Sequence, residues 1–372
     1  MSFLTGVLCM CSGGLPGAEP LVFISAFASG EKAGIHSFRF DSATGTLQPL
    51  HRTADIQNPF FLAVSPDQRF LYAINAESFG GADDEFVAAY ALDGRDGRLK
   101  RLNQHSARGT ASCYLDVDAT GKTVAVANYA SGSVASLPVK EDGSLGEAVS
   151  FVQHSGSGAD PVRQKGPNAH CIVISPDNRF ALAADLGIDK ILIYQLDAAA
   201  ARLTPNDAQP FVKMRPASGP RHITFHPNGR HVYVINELAN TVTCFDYAAD
   251  SGMLTERQTL STLPAGFTGK SHTADLKITP DGKFLYGTNR GHDSIASYRI
   301  AENGMLTLLS IDPSLGKGPQ NLLITPDGRW LLCANMPGNS VVVFRIDAAN
   351  GNLAATGAPV AMPMPSCIRW AK

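Results

Sequence analysis

The chain has 372 residues, of which 44% are hydrophobic and 17% charged, so it can bury a large core in one domain or in a few. Its formal net charge is −2 and it has no long run of Lys or Arg, which argues against a nucleic-acid partner. No stretch approaches the roughly 18 uncharged apolar residues of a membrane span, so we expect no membrane partner.

The chain begins with a short apolar segment over residues 1–20, with no basic residues before it and a small residue at Ala18. We interpret it as a terminal extension, with a weak signal-like segment as the alternative. The expected location is therefore cytoplasmic, or periplasmic or secreted if the segment is the remnant of a signal. Residues 21–372 are predicted to form one domain.

From Phe60 onward, one frame of strand, turn and strand occurs six times. Its turns are spaced 46 to 57 residues apart, as in the blades of a β-propeller. A third strand and a fourth, which begins near Gly-X-Leu, follow each hairpin, giving four antiparallel strands per blade. The turn anchors are Pro66, Ala119, Pro176, Pro227, Pro280 and Pro326.

The two ends of the chain supply a seventh blade. The terminal PSCIRWAK resembles a first strand cut off before its turn, and PLVFISAFASGEKAGIHSFRFD from Pro20 reads as the second and third strands. We therefore predict an all-β, seven-bladed β-propeller whose ring is closed by pairing of the N- and C-terminal segments, which also removes exposed edge strands.

Residues equidistant from a hairpin turn face each other. Arg221 and Glu237 are each eight positions from Gly229. They should be neighbours at the open end of one hairpin, where the innermost strands meet the central channel. His170 and Arg290 hold the equivalent positions in the adjacent blades, so the four should share one side of the channel mouth, a favoured place for a pocket.

Other blades carry apolar residues at most of these positions, so the four polar ones stand out as candidates for function. In all six frames an Asn or Asp directly precedes the position equivalent to Glu237. Because this residue recurs, we interpret it as structural. We assign His222, His226, His231, His272 and His292 to packing or to the surface. The cysteines, in apolar runs for the most part, are interpreted as small buried hydrophobic residues.

No set of His, Cys, Asp or Glu has the local spacing of a metal site, and neither a P-loop nor a G-x-S-x-G elbow is present. We expect no metal and no cofactor.

Several segments resemble the bacterial 6-phosphogluconolactonase family of seven-bladed propellers, which also includes the fungal carboxy-cis,cis-muconate cyclases. They are GPRHITFHPNGRHVYVINELANTV, ITPDGKFLYGTNRGHDSIASYRI and AHCIVISPDNRFALAADLGIDKILIYQLD, and the likeness runs from about Leu21 to Trp370. The resemblance implies a lactonase of the pentose phosphate pathway acting on 6-phospho-D-glucono-1,5-lactone, a small-molecule substrate.

The resemblance also assigns the family's active-site histidine, two arginines and glutamate to His170, Arg221, Arg290 and Glu237. Where the family commonly has His-Ala-His, this chain has Asn at position 168 before Ala169 and His170. Asp275, Asn168 and Tyr129 are predicted to bind substrate together with the two arginines.

The chemistry of a lactonase fits these residue types. Glu237 or His170 can serve as the general base, with the other as proton donor, and the arginines suit the carbonyl oxygen and the phosphate. Three alternatives remain: a lactonising muconate cyclase, a metal-dependent lactonase, and a non-catalytic propeller that binds a partner through the long loops 77–86 and 154–166. The sequence does not predict an oligomeric state.

Overall fold

A computed structural model describes residues 20–93 and 96–371 of the chain. The predicted terminal extension therefore lies, except for its last residue, outside the described part. The remainder of the fold is all-β, in seven sheets of the predicted propeller. Among the described residues no helix is long and apolar enough to cross a bilayer.

The strands are numbered in chain order, and each sheet is one blade. Blade 1 contains β4 (Leu62–Val64), β5 (Phe70–Asn75), β6 (Phe86–Asp93) and β7 (Arg98–Ser106). Blade 2 contains β8 (Ser112–Val117), β9 (Thr123–Asn128), β10 (Ser133–Pro138) and β11 (Ser150–Gln153). Blade 3 contains β12 (Ala169–Ile174), β13 (Phe180–Asp185), β14 (Lys190–Asp197), β15 (Arg202–Pro205) and β16 (Phe211–Lys213).

Blade 4 contains β17 (Pro220–Phe225), β18 (His231–Asn236), β19 (Thr241–Ala248) and β20 (Met253–Ser261). Blade 5 contains β21 (His272–Ile278), β22 (Phe284–Arg290), β23 (Ser294–Ile300) and β24 (Leu306–Pro313). Blade 6 contains β25 (Pro319–Ile324), β26 (Trp330–Asn335), β27 (Ser340–Ile346) and β28 (Leu353–Ala361). Blade 7 contains β29 (Pro365–Ala371), β1 (Leu21–Ala26), β2 (Gly34–Asp41) and β3 (Thr46–Thr53). Two short 3₁₀ helices occur at Gly30–Lys32 and Leu186–Ile188.

Closure of the ring follows the prediction from the two chain ends. The C-terminal strand β29 is the innermost strand of blade 7 and pairs antiparallel with β1, with Val22 opposite Trp370. Blade 3 departs in one detail, because its outer strand is divided into β15 and β16, both of which pair with β14. Pro205 and Pro210 flank the gap, and proline has no N–H to continue the ladder.

The inner hairpins are fixed by a repeated turn. In blade 1 the hydroxyl of Ser65 accepts the N–H of Phe70 at 2.9 Å and donates to Asp67 at 2.6 Å. Ser175, Thr279 and Thr325 make the same pair of contacts in blades 3, 5 and 6. These local bonds explain why the Ser/Thr-Pro-Asp pattern recurs in the sequence.

Neighbouring blades are tied by tyrosines that reach across the core. Tyr72 of blade 1 donates to the carbonyl of Gly143 in blade 2 at 3.1 Å, and Tyr233 and Tyr286 repeat the contact to the following blade. Gly143 must be glycine, since its φ is +82° and an added Cβ would lie 2.1 Å from the ring of Phe70. These contacts hold the blades in register around the channel. Within residues 20–93 and 96–371 the cysteines are buried and free, namely Cys113, Cys171, Cys244, Cys333 and Cys367.

Candidate functional site

The innermost strands carry a β-bulge at the open end of their hairpins, and this bulge positions the site. In blade 4 Pro220 pairs with Asn236 and His222 with Ile235, so Arg221 is skipped. His170, Cys113, Gln320 and Ser366 are skipped in the same way in their own blades. A bulge leaves one residue without a cross-strand partner and re-aims its side chain. In these five blades the bulge therefore releases one side chain from the ladder, whereas in β21 two residues, Ala274 and Asp275, are skipped.

Four of these side chains, those of Cys113, His170, Arg221 and Gln320, line a cavity of about 220 Å³ at the channel mouth. This volume is below the ~300–1,000 Å³ of sites for drug-sized ligands, so it suits a compact ligand. The cavity is lined by Phe60, Phe79, Cys113, Tyr129, Arg163, His170, Arg221, Glu237, Arg290, Gln320 and Met336. All four predicted catalytic residues, and the predicted substrate contact Tyr129, belong to this wall. A larger depression of about 400 Å³ lies at the hairpin turns, at the other end of the strands.

Glu237 is the centre of the charged side of the cavity. Its Oε1 accepts from Nη2 of Arg163 at 2.8 Å, and its Oε2 accepts from Nε of Arg221 at 3.0 Å and from Nη2 of Arg290 at 2.7 Å. Burial alone would raise the pKa of Glu237, but Arg290, Arg221 and His170 hold it well below its usual range. Glu237 is therefore a carboxylate at any working pH.

Arg221 is held from below by a buried chain of polar groups. The residue is 1% exposed, and its Nη1 donates to Nε2 of His222 at 3.1 Å and to the carbonyl of Ala274 at 2.6 Å. Since a guanidinium only donates, Nε2 of His222 is the acceptor, so the proton is on Nδ1, which donates to Asp275 at 2.9 Å. Burial and the charge of Arg221 lower the pKa of His222 to about 3, which keeps the ring neutral.

Burial, with Arg290 nearby, lowers the pKa of Arg221 to about 10, so it stays charged at neutral pH. Arg290 is less buried, with 26% of its side chain exposed. Its Nη1 donates to Oε1 of Gln320 at 3.2 Å, and its Nη2 donates to the carbonyl of Thr273 as well as to Glu237. Both arginines are therefore fixed before any substrate arrives.

His170 completes the charged side as a neutral base. Burial, followed by the charge of Arg221, lowers its pKa well below the ordinary value for histidine. Its Nδ1 lies 3.5 Å from Sγ of Cys113, whose S–H has the carbonyl of His170 as acceptor at 3.3 Å. We assign the ring proton to Nδ1, facing this sulfur, which leaves the lone pair on Nε2. The ring also packs edge-on against Tyr129, with centroids 5.1 Å apart.

The opposite side of the cavity is apolar. Phe60 and Phe79 stack with ring centroids 5.2 Å apart, and Phe27 packs edge-on against both. The loop 77–86 places Phe79 there because Glu85 anchors it: the buried carboxylate accepts the N–H groups of Gly80 and Ser112, both at 2.7 Å. One wall thus offers charge and the other offers apolar ring surface.

Two predicted substrate contacts do not line this cavity. Asp275 is buried beneath Arg221, where its carboxylate accepts from His222, Asn321 and the N–H of Leu322 and pairs with Lys277. The sequence placed it on the rim because it lies next to Ala274, but the bulge in β21 turns the two residues differently. We correct its assignment to a residue that positions His222.

Asn168 is the second correction. Its side-chain amide donates to the carbonyl of Tyr129 at 2.9 Å, and its N–H donates to Asp185 at 2.7 Å. Asn168 therefore supports the strand end that carries Tyr129 and does not reach the cavity. Asn168 stands where the family commonly has the first histidine of His-Ala-His. His170, at the position of the second histidine, lines the cavity.

Arg163 and Phe79 are the wall residues that the repeat comparison missed. Both lie in the loops outside the repeated frame, 154–166 and 77–86, so no equivalent position in another blade could reveal them. The unusual length of these loops was the available signal. His222, which the sequence predicts to be a packing or surface histidine, bridges Arg221 and Asp275.

Among the described residues no group of three or more His, Cys, Asp or Glu side chains could hold a metal ion. The expectation of a metal-free site stays a prediction.

Comparison with known proteins gives a consistent picture. The family model described as "Lactonase, 7-bladed beta-propeller" matches residues 21–370. A 6-phosphogluconolactonase of Bacillus subtilis is 34% identical over 350 residues, covering 94% of this chain and 97% of its own. A 6-phosphogluconolactonase of Formosa agariphila is 32% identical, covering 89% and 94%. The solved structure of a periplasmic gluconolactonase from Pseudomonas aeruginosa superposes with a TM-score of 0.88 at 32% identity, covering 95% and 99%.

Proposed function

This chain belongs to the lactonase family of seven-bladed β-propellers, and from that premise we propose that it hydrolyses a sugar lactone, 6-phospho-D-glucono-1,5-lactone, to 6-phosphogluconate. This reaction would place it in the pentose phosphate pathway. The observation that carries the proposal is the charge of the cavity. Arg163, Arg221 and Arg290 outweigh Glu237 there, which leaves a net charge of +2 beside a neutral histidine, complementary to a phosphorylated lactone.

Each arginine offers a different number of free donors. A guanidinium has five N–H groups. Arg221 commits Nε and Nη1, which leaves Nη2 without an acceptor among the described residues. We propose that Nη2 of Arg221 donates to the lactone carbonyl oxygen and stabilises the negative charge that develops on it, while the buried partners of Arg221 prevent the group from moving.

We assign the general base to His170. Both carboxylate oxygens of Glu237 accept hydrogen bonds from arginines, which leaves Glu237 a poor acceptor for a proton from water. A neutral imidazole with a free Nε2 is the better acceptor. Glu237 then fixes the arginines and stabilises the imidazolium that forms on His170.

The reaction follows in two steps. Nε2 of His170 takes a proton from water as the water oxygen bonds to the carbonyl carbon, and Nη2 of Arg221 holds the resulting oxyanion. The oxyanion then re-forms the carbonyl, the bond from carbon to the ring oxygen breaks, and His170 returns its proton to that oxygen. The acid product loses a proton to solvent, so one lactone and one water give one carboxylate and one proton.

The test is a continuous assay of the purified chain on 6-phosphogluconolactone and on unphosphorylated glucono-1,5-lactone, each corrected for spontaneous opening. We expect catalysis with a higher kcat/KM on the phosphorylated lactone. Rates equal to the spontaneous ones on both would overturn the proposal. A non-catalytic binding module is less favoured, because the charges converge inside the mouth and most exposed large hydrophobic side chains, such as Phe151, Met253 and Leu308, lie on outer strands.

We further propose residues 21–372 as one domain and a cytoplasmic location, with export as the alternative because the structural neighbour from P. aeruginosa is described as periplasmic. Fractionation of the native host followed by immunodetection would distinguish the two.

A further inference from the structure

Arg163 differs from the other two arginines of the cavity in exposure and in its free donors. Its side chain is 36% exposed, against 26% for Arg290 and 1% for Arg221. Only its Nη2 is committed, to Oε1 of Glu237 at 2.8 Å and to the hydroxyl of Tyr129 at 3.1 Å. Neither Nε nor Nη1 donates to a described residue. Arg163 is thus the arginine best placed to receive an incoming anion.

The loop that carries Arg163 is rigidly buttressed at the next residue. Gln164 is 1% exposed, and its amide nitrogen donates to the carbonyl of Leu186 and to Asp189, both at 2.7 Å. Its amide oxygen accepts the N–H of Asp160 at 2.8 Å, and Asp160 in turn accepts the N–H of Arg163 at 2.9 Å. The backbone of Arg163 is therefore fixed, and only its side chain is free to change partner.

The geometry of a guanidinium makes that exchange specific. A guanidinium can bind an anion bidentately along two edges. One edge presents Nε and Nη2 and the other presents Nη1 and Nη2, so both edges include Nη2. Nη2 already donates to Glu237 and to Tyr129. A phosphate that binds Arg163 bidentately must therefore displace one of these two acceptors, the hydroxyl of Tyr129 or Oε1 of Glu237. Oε1 is the carboxylate oxygen that neither Arg221 nor Arg290 holds. The Arg163 end of this ion pair is 36% exposed, so the guanidinium can leave Glu237 for an anion without entering a buried state of its own.

We propose that Arg163 recognises the phosphate of the substrate, and that its transfer from Glu237 to the phosphate frees Oε1 of Glu237 to stabilise the protonated His170 formed during hydrolysis. This inference rests on the proposed function and deepens it. Glu237 and His170 line one cavity and their charges attract when His170 is protonated. The phosphate thus acts both as a handle for binding and as the signal that releases the carboxylate, so Arg163 determines specificity between phosphorylated and plain lactones.

The experiment compares wild type, Arg163→Gln and, as a matched control, Lys165→Gln, which removes one positive charge from an exposed position of the same loop. The substrates are 6-phosphogluconolactone and glucono-1,5-lactone, the second also with added inorganic phosphite dianion in place of the missing phosphate. We expect Arg163→Gln to lower kcat/KM on the phosphorylated lactone by about 10²-fold. It should not lower kcat/KM on the plain lactone, because without Arg163 the Oε1 of Glu237 is already free.

Phosphite should raise the wild-type rate on glucono-1,5-lactone by about 10-fold or more at saturation, and should not activate Arg163→Gln. Lys165→Gln should match wild type throughout. Equal losses on both substrates in Arg163→Gln, or no activation of wild type by phosphite, would overturn the inference while leaving lactonase activity intact. If wild type opens neither lactone the proposed function fails instead, and calorimetry then decides whether wild type binds phosphite at least about 10-fold more tightly than Arg163→Gln, as the inference requires.

Discussion

The substitution Glu237→Gln removes one negative charge from the centre of three arginines and keeps the shape of the side chain. Glu237 has 7% of its side chain exposed and accepts three hydrogen bonds of 2.7 to 3.0 Å. A glutamine has one acceptor oxygen and places an NH₂ group against N–H donors at the other position. Either one or two of the three contacts must therefore be lost, and Arg221 remains as a buried cation without its carboxylate.

The expected cost can be stated from the exposures. Removing one partner of a buried ion pair costs roughly 3–5 kcal/mol. Arg163 and Arg290 are 36% and 26% exposed and can be rehydrated, whereas Arg221 cannot, so we expect the lower end, about 3 kcal/mol in the free energy of unfolding. Turnover of 6-phosphogluconolactone should fall by about 10²-fold, because Arg221 and Arg290 lose their common anchor.

Urea denaturation followed by fluorescence and steady-state kinetics measure the two effects. Glu256→Gln is the matched control, since Glu256 pairs with Arg215 at 2.9 Å on the surface and should change stability by less than about 1 kcal/mol. If Glu237→Gln unfolds within about 1 kcal/mol of wild type and turns over normally, Glu237 is not the group that organises the arginines, and the reasoning fails.

Three further expectations concern neighbouring groups. Arg290→Ala should lower turnover by about 10²-fold, and Arg290→Lys should restore little, because an ammonium cannot reproduce the contacts to Glu237, Thr273 and Gln320; full activity in the lysine variant would contradict this. His170 must be neutral to accept a proton, and its pKa lies well below 6.5, so kcat/KM should fall only at a pH below 6.5; a midpoint at or above 6.5 would exclude His170 as the base. Incubation with EDTA should leave the rate unchanged, and reversible loss of activity on chelation would point to a metal-dependent lactonase.

The acid stability of the protein gives a separate expectation from His222. The pKa of His222 is lowered to about 3 in the fold. Below pH 6.5 His222 is therefore protonated in the unfolded chain while it is still neutral in the folded one, which favours unfolding. The contribution is complete above 6.5 and is lost as pH falls from 6.5 toward 3, at about 1.4 kcal/mol per pH unit. Urea titrations at pH 7, 6 and 5 give the free energy of unfolding at each pH. Its increase with pH should be smaller in His222→Gln, by the amount that corresponds to about one proton, and an identical pH dependence would contradict the buried neutral state.

Much of the architecture follows from local chemistry that the sequence displays. The Ser/Thr-Pro-Asp turns of four blades are bonded within a few residues, as Ser65 with Phe70 illustrates. The six recurring hairpin frames predict six blades, and the strand-like segments at the two chain ends predict the seventh, closed by β29. The hairpin symmetry about Gly229 likewise predicts the pairing of Arg221 with Glu237, which the structure brings to 3.0 Å.

The remaining features depend on geometry that a sequence pattern does not encode. Alternation along a strand assigns faces with period two, and a bulge resets that alternation, which is why Asp275 lies beneath Arg221 and not on the wall. Arg163 comes from a loop without a counterpart in other blades, held by Gln164. The sequence predicts packing or a surface position for His222, and only the fold brings it between Arg221 and Asp275.

The central claim is that the cavity at the channel mouth opens the lactone through His170. Its most direct test compares the enzyme-catalysed rate of 6-phosphogluconolactone opening in wild type and in His170→Gln. A cooperative thermal unfolding transition in both proteins shows that each is folded. We predict clear catalysis above the spontaneous rate in wild type and a loss of about 10²-fold or more in the variant. A variant as fast as wild type, with its fold intact, would contradict the account.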